Sequence, residues 1–205
     1  AEVYRKLGAT IVEGIHLPLT DIGISTYYVI APAEASSNLA RFDGIKYGLR
    51  VNDEKDRMEG TNRLLETYLD SRAYGFGAEV KKRIMLGTYT LSAGYYDAYY
   101  KKAEKVRQLI RQDFERAYAE VDFIFSPTAP EAAFKFGAKA DDPLKMYLSD
   151  IYTVTANLAG VPALSFPIGT IEEDGKDLPI GGQLQARWFD EEGMLALAHQ
   201  YERAK

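Results

Sequence analysis

The sequence contains no cysteine and only two histidines, His16 and His199. Without cysteine the chain forms no disulfide scaffold, uses no thiol nucleophile and offers no thiolate ligand to a metal. Two histidines are too few for a polyhistidine metal centre, and neither lies in a setting typical of a Ser-His-Asp triad. These absences exclude several large classes of enzyme.

Long apolar runs and an excess of positive charge are also missing. The longest uncharged stretches are interrupted by Pro, Gly or Ser before they reach the ~18 residues that a membrane-spanning helix needs. The formal net charge of −5 argues against a surface that grips nucleic acid by itself, because such surfaces carry a basic excess. We therefore expect no membrane span and no direct nucleic-acid contact.

The composition that remains is that of an ordinary globular protein. Of 205 residues, 46% are hydrophobic and 27% are charged, which excludes a disordered, collagenous or coiled-coil chain and favours one domain. The chain opens at Ala1 and ends at Lys205, both within helical patterns. We therefore expect residues 1–205 to be part of a longer protein.

The first half of the chain is predicted to be mainly helical. A helix over 1–7 and a β-branched strand over 9–15 precede a helix that starts after Pro32, a residue that suits a first helical turn. Residues 50–62 are charged and aperiodic, and they predict a surface loop. Two further helices are predicted near 62–72 and 78–86.

The clearest periodic signal runs from Tyr95 to Val121, where apolar residues recur every three or four positions. This spacing predicts one long amphipathic helix whose apolar stripe packs in the core rather than binding a ligand. Beyond it, a buried strand ends at Pro127, and Asp190 caps a final helix. The other predicted elements are two short helices at 144–150 and 152–160 and two strands at 163–169 and 179–186. The alternation predicts an α/β fold, with a mixed β-sheet covered by helices.

Common catalytic motifs are absent. There is no Gly-x-Ser-x-Gly nucleophile elbow, so Ser126 and Ser165 are interpreted as serines at strand ends and core edges. Gly181-Gly182 lies in a strand pattern, where close packing explains glycine without a phosphate loop. Asp141-Asp142 precedes a proline and is interpreted as a helix start, not a metal pair. No metal site is predicted.

Two charged positions lie at the edges of apolar segments. An apolar stretch directly follows three cations, Lys81, Lys82 and Arg83. Successive side chains on a helix point about 100° apart around its axis, so one of the three cations must turn toward the buried side. Asp150 lies at the junction of two short helices, where it could simply cap the second one. An Arg and an Asp fit the carboxylate and ammonium of a small zwitterion. A structural ion pair fits the same residues.

Five blocks of the sequence carry a family resemblance. They are residues 34–48, 83–107, 125–130, 141–167 and 179–202. Together they resemble the carboxyl-terminal half of the amidase signature family and, within it, are similar to the A subunits of glutamyl-tRNA(Gln) amidotransferases. The resemblance extends over residues 1–205, which it identifies as the carboxyl-terminal part of a single amidase-signature domain.

The resemblance implies a glutaminase whose ammonia converts Glu-tRNA(Gln) to Gln-tRNA(Gln). The family's Ser, cis-Ser, Lys triad belongs to the amino-terminal half, so no catalytic role is carried over to Ser36, Ser37, Ser126 or Ser165, and this chain alone is expected to be inactive. The implied partners are glutamine, the amino-terminal half of the same protein and the B and C subunits of the amidotransferase, with tRNA reached only through the complex. No cofactor is implied for this chain, because ATP and magnesium belong to one of the partner proteins.

Three positions match the family's glutamine-recognition residues. By resemblance Arg83 holds the α-carboxylate, Asp150 holds the α-ammonium and Tyr27 lines the pocket, and the Gly94-Tyr95-Tyr96 region is a candidate for further lining. The implied location is the cytoplasm, or an organelle if the source is eukaryotic. Two alternatives stay open: a stand-alone amidase of the same family that acts on another amide, and a non-catalytic interaction module.

Overall fold

The helices and strands follow most of the hydrophobic pattern of the sequence. A computed structural model describes residues 1–51, 62–139 and 143–204. The elements in chain order are α1 (Glu2–Lys6), α2 (Gly23–Leu39), α3 (Arg63–Gly75), α4 (Ala78–Thr90), α5 (Lys101–Glu120), β1 (Phe123–Pro127), α6 (Pro143–Leu148), α7 (Val154–Ala159), β2 (Ala163–Glu173), β3 (Lys176–Ala186) and α8 (Glu191–Ala204). A 3₁₀ turn (Thr20–Ile22) leads into α2, and a π-helical turn (Tyr96–Tyr100) leads into α5.

The chain divides into two compact units. The first, here called the sheet unit, comprises Ala1–Tyr27 and Lys105–Lys205, and the second, the helical unit, comprises Tyr28–Glu104. None of the described helices combines the length and the apolar character needed to cross a membrane.

The sheet unit contains an antiparallel sheet of strand order β1-β3-β2. The nine residues that separate the last two predicted strands, 170–178, form only a turn with strand on both sides, because β2 and β3 continue pairing as far as Glu173 and Lys176. Asp174 and Gly175 both have positive φ, 52° and 71°, as a type I′ hairpin turn requires. The α/β class is confirmed, and the expected mixed sheet is, among the described strands, an antiparallel one.

Helix α8 covers the sheet and closes the core of this unit. Leu184, on the central strand, is completely buried, and Met194 and Tyr201 of α8 pack in the same cluster. A Cβ on Gly182 would come within 2.6 Å of Ile168 and 2.8 Å of the Phe125 ring. Close packing therefore accounts for this glycine, as expected.

The predicted long helix is present, but its stripe is only partly buried. Ile110, Phe114 and Ala117 of α5 are each at most 5% exposed, whereas Tyr95 and Tyr99 are 39% and 49% exposed. Burial of the stripe therefore begins within α5 and excludes the tyrosines that precede it.

In the helical unit, the prediction that a helix starts after Pro32 is wrong. Helix α2 begins at Gly23, and Pro32 lies inside it. An interior proline costs about 3 kcal/mol of helix stability. Ile30 and Ala33 are buried beside it, and this burial offsets the cost. The two helices predicted near 62–72 and 78–86 are confirmed as α3 and α4.

One predicted strand is also wrong. Residues 9–15 have no regular secondary structure, and no described strand pairs with them. β-branched residues favour a strand only where a neighbouring strand and a packed face support it. Of the predicted loop 50–62, residues 52–61 lie outside the described residues, as do Asp141 and Asp142.

Candidate functional site

Asp150 lies in the turn between α6 and α7. Its carbonyl accepts hydrogen bonds from the N–H groups of Thr153 and Val154, both at 3.0 Å, and from Thr153 Oγ1 at 3.1 Å. The N-cap position of α7 is Thr153, whose side chain makes no capping hydrogen bond. The alternative role of Asp150 as the N-cap of α7 is therefore wrong. Asp150 is an exposed residue.

Two buried side chains anchor this turn from different parts of the sheet unit. Gln183, 3% exposed on the central strand β3, donates through Nε2 to the carbonyl of Tyr152 at 2.8 Å. Lys139, 8% exposed, donates through Nζ to Ser149 Oγ at 2.7 Å. The neighbours of Asp150 in sequence are thus fixed on both sides.

Arg83 lies in the second turn of α4, in the helical unit. Its Nε donates to Glu79 Oε1 at 2.9 Å, and its guanidinium lies 5.7 Å from the centre of the Tyr28 ring. The Arg83 side chain is 30% exposed, whereas Lys81 and Lys82 are exposed residues. Arg83 is thus the least exposed of the three cations, but the apolar side expected to bury it is not formed by Met85, which is 73% exposed.

Tyr27 is half-buried on α2, at the end of the first segment of the sheet unit. The first turn of α2 lies against the first turn of α7, since a Cβ on Gly23 would come within 2.9 Å of Thr155 and 3.3 Å of Val154. Tyr27 is one helical turn beyond Gly23, and Asp150 precedes α7. The fold therefore brings the helix that carries Tyr27 to the helix that follows Asp150.

The tyrosines around Gly94 form a row of rings in the helical unit. The Tyr95 ring lies 4.3 Å from that of Tyr89 and 5.9 Å from that of Tyr99. The hydrogen bond with Tyr95 raises the pKa of Tyr89 to about 12. This row lies at the surface, because more than a third of the surface of each of the three residues is exposed to solvent.

The serines make hydrogen bonds of a structural kind. Ser165 Oγ lies 2.7 Å from Thr128 Oγ1, Ser126 Oγ accepts from Gln183 at 3.4 Å, and Ser36 donates to the carbonyl of Ala33 at 2.9 Å. These contacts agree with the interpretation of Ser126 and Ser165 as strand-end and core-edge residues. The described residues also contain no group of three or more His, Asp or Glu that could hold a metal ion.

Sequence reasoning missed Lys139 and Gln183. For Gln183 a signal exists, because it is the one polar residue in the segment 178–184 of β3, and a polar residue in such a segment must find an internal partner when it is buried. For Lys139 there is none, since a lysine in a loop is ordinarily exposed.

Comparison with known proteins places the chain in a family. A family model described as Amidase matches residues 1–195. The chain belongs to the amidase family. The resemblance of its five sequence blocks to amidase signature proteins is therefore confirmed.

Curated relatives within the amidase family are similar over nearly the whole chain. The A subunit of glutamyl-tRNA(Gln) amidotransferase from Thermodesulfovibrio yellowstonii is 60% identical over 200 residues, which are 98% of this chain and 39% of that protein. The protein of the same name from Microcystis aeruginosa is 56% identical over 98% of this chain and 39% of its own length. The amidase-family chain thus spans about 39% of these relatives.

Solved structures confirm the amidase signature fold. The A subunit of glutamyl-tRNA(Gln) amidotransferase from Thermotoga maritima is 39% identical and superposes with a TM-score of 0.59 over 93% of this chain and 34% of that chain. A bacterial aryl acylamidase of the amidase signature family superposes with a TM-score of 0.63 over 100% of this chain and 38% of its own. At 18% identity, the second likeness concerns the fold alone.

Proposed function

We propose that this chain is the glutamine-binding part of the glutaminase subunit of a tRNA-dependent amidotransferase. The intact protein releases ammonia from glutamine, and the ammonia converts Glu-tRNA(Gln) to Gln-tRNA(Gln). The observation that carries the proposal is the 60% identity, over 98% of this chain, to a protein named as the A subunit of that enzyme.

Asp150 and Arg83 recognise the two charged groups of the substrate in this proposal. The Asp150 carboxylate binds the α-ammonium group, and the Arg83 guanidinium binds the α-carboxylate with a planar set of N–H donors. Tyr27 contacts the body of the amino acid. Two observations support these roles: the N-cap of α7 is Thr153 and not Asp150, and Arg83 is the least exposed of the three cations in its run.

The nucleophile and its lysine lie, in this proposal, in an amino-terminal half of the same domain, and residues 1–205 alone do not hydrolyse glutamine. Support comes from the 39% coverage of the relatives and from apolar side chains on α3 and α4 that solvent reaches. These side chains are Leu64, Leu65, Leu69, Tyr74 and Met85. An apolar surface of this kind is normally covered by protein.

The proposed partners follow from the family resemblance. In this proposal the B and C subunits complete the enzyme, ATP and magnesium act in a partner subunit, and tRNA is reached through the complex, which works in the cytoplasm, or in an organelle if the source is eukaryotic. The net charge of −5 supports an indirect contact with tRNA, because direct binding needs a basic surface.

The test uses the full-length protein in its complex, with glutamine or ammonium as the nitrogen donor. Asp150→Ala and Arg83→Ala are each expected to raise the KM for glutamine by 10- to 100-fold, since a hydrogen bond to a charged group contributes about 1.5–3 kcal/mol. Ammonia-dependent amidation should stay within twofold of the wild type. Lys82→Ala, on the same helix as Arg83, is the matched control.

Equal loss of both activities would show that the two residues are structural. Rapid turnover of aryl amides without turnover of glutamine would instead favour a stand-alone amidase.

A further inference from the structure

We propose that Lys139 is a positioning residue, which fixes the turn carrying Asp150 through its hydrogen bond to Ser149. This inference rests on the proposed binding of glutamine by Asp150 and adds a residue to which no role has been assigned.

Lys139 is a buried cation in a loop. It lies between β1 and α6, and only 8% of its surface is exposed. A buried ammonium group is costly unless charged and polar partners surround it. Among the described residues Lys139 has three partners: an ion pair with Glu131, the hydrogen bond of 2.7 Å to Ser149 Oγ, and the Phe134 ring, whose centre is 4.1 Å from Nζ.

Ser149 connects this cation to the turn. The residue directly precedes Asp150, and its hydroxyl also donates to the carbonyl of Lys145 at 3.4 Å, one turn back in α6. Helix α6 has only six residues, and helices of that length depend on tertiary contacts for their stability. The Lys139 hydrogen bond is such a contact at the carboxyl end of α6.

The other side of the turn is anchored independently. Gln183 holds the carbonyl of Tyr152 from the central strand, and the carbonyl of Asp150 receives the first N–H groups of α7. With the chain fixed at 149 and at 152, Asp150 is held over a span of four residues. Removal of the Lys139 contact would release one end of that span and leave the other in place.

The experiment measures glutamine- and ammonia-dependent amidation by the full-length complex. Lys139→Met keeps the length of the side chain and removes its charge and its donors. We expect the KM for glutamine to rise about tenfold, kcat to change less than twofold, and ammonia-dependent amidation to stay at the wild-type level. The matched control is Lys135→Met in the same loop, because Lys135 is 84% exposed and pairs only with the exposed Asp174 among its described contacts.

Ser149→Ala tests the route through which Lys139 acts. If Lys139 works through Ser149, Ser149→Ala should raise the KM for glutamine by a similar factor, and the double variant should be no worse than either single one. Additive effects, or an unchanged KM in Lys139→Met where Asp150→Ala raises the KM, would overturn the inference. A parallel loss of ammonia-dependent activity would also overturn it, since it would show a general structural role.

A second measurement separates this inference from the proposed function. The amide protons of Thr153 and Val154 donate to Asp150, so their exchange with solvent reports on the turn itself. Lys139→Met should accelerate this exchange about tenfold, and Lys135→Met should not. If exchange accelerates while Asp150→Ala leaves the KM for glutamine unchanged, the glutamine role of Asp150 is wrong and the positioning of the turn stands. Unchanged exchange would refute the positioning.

Discussion

Gly87→Ala tests the close approach of α2 and α4 in the helical unit. A Cβ at Gly87 would lie 1.9 Å from the Pro32 carbonyl oxygen and 2.7 Å from Ser36 Oγ. The first of these atoms belongs to the backbone of α2, which cannot rotate away as a side chain can. Relief of the clash therefore requires the two helices to separate by roughly 1 Å, given how tightly protein interiors are packed.

The expected cost combines two opposing terms. Overpacking costs about 1–3 kcal/mol, and the rigid carbonyl puts this site at the upper end. Alanine in place of glycine within a helix stabilises the helix by about 1 kcal/mol. We therefore expect Gly87→Ala to lower the free energy of unfolding by about 2 kcal/mol. Gly75→Ala is the control, because its nearest neighbour, Leu49 Cβ, is 3.8 Å away.

The assay is urea unfolding of the full-length protein followed by circular dichroism, together with the KM for glutamine. Gly87 is one turn beyond Arg83 on α4, so separation of the helices should displace the guanidinium and raise that KM. Gly75→Ala should leave the KM unchanged and the stability equal or higher. A Gly87→Ala protein as stable as the wild type would refute the close contact between α2 and α4.

Two further predictions concern the sheet unit. Asp190 Oδ1 accepts a hydrogen bond from the Gly193 N–H at 3.1 Å. Asp190→Ala should therefore lower the free energy of unfolding by about 1 kcal/mol in urea titrations, and Asp190→Asn should retain most of this capping stabilisation. Burial raises the pKa of Tyr4 to about 12, whereas an unfolded tyrosine loses its proton near pH 10. The stabilising contribution of Tyr4 is therefore complete below pH 10 and lost as the pH rises from about 10 to 12. Alkaline titration of the urea midpoint should show a smaller loss for Tyr4→Phe, and an identical loss would contradict the prediction.

Elements with a strong local signal were predictable from the sequence. The amphipathic spacing after Tyr95 indicates a helix, and Gly160 ends α7 in the left-handed region with φ of 71°. The capping role of Asp190 and the packing role of Gly182 are equally local, because each depends on residue type and on immediate neighbours. Such features need no knowledge of distant contacts.

Features that depend on tertiary context were not predictable. Residues 9–15 have β-branched side chains but no described strand to pair with, and α2 continues through Pro32 because its flanks are buried. Resemblance to a family pointed to Arg83 and Asp150, whereas the supporting Lys139 became visible only through its burial against residues distant in sequence. A loop lysine has no periodicity that could reveal such an environment.

The π-helical turn at Tyr96–Tyr100 changes the helical register just before α5. A π turn holds one residue more than an α turn, so it behaves as a single-residue insertion that the helix has absorbed. Loss of one residue there would replace the π turn by an α turn and rotate the residue directly before it by about 100° around the helix axis. A single codon deletion would in this way change the direction of the Tyr95 ring relative to the Tyr99 ring, which now lies 5.9 Å away.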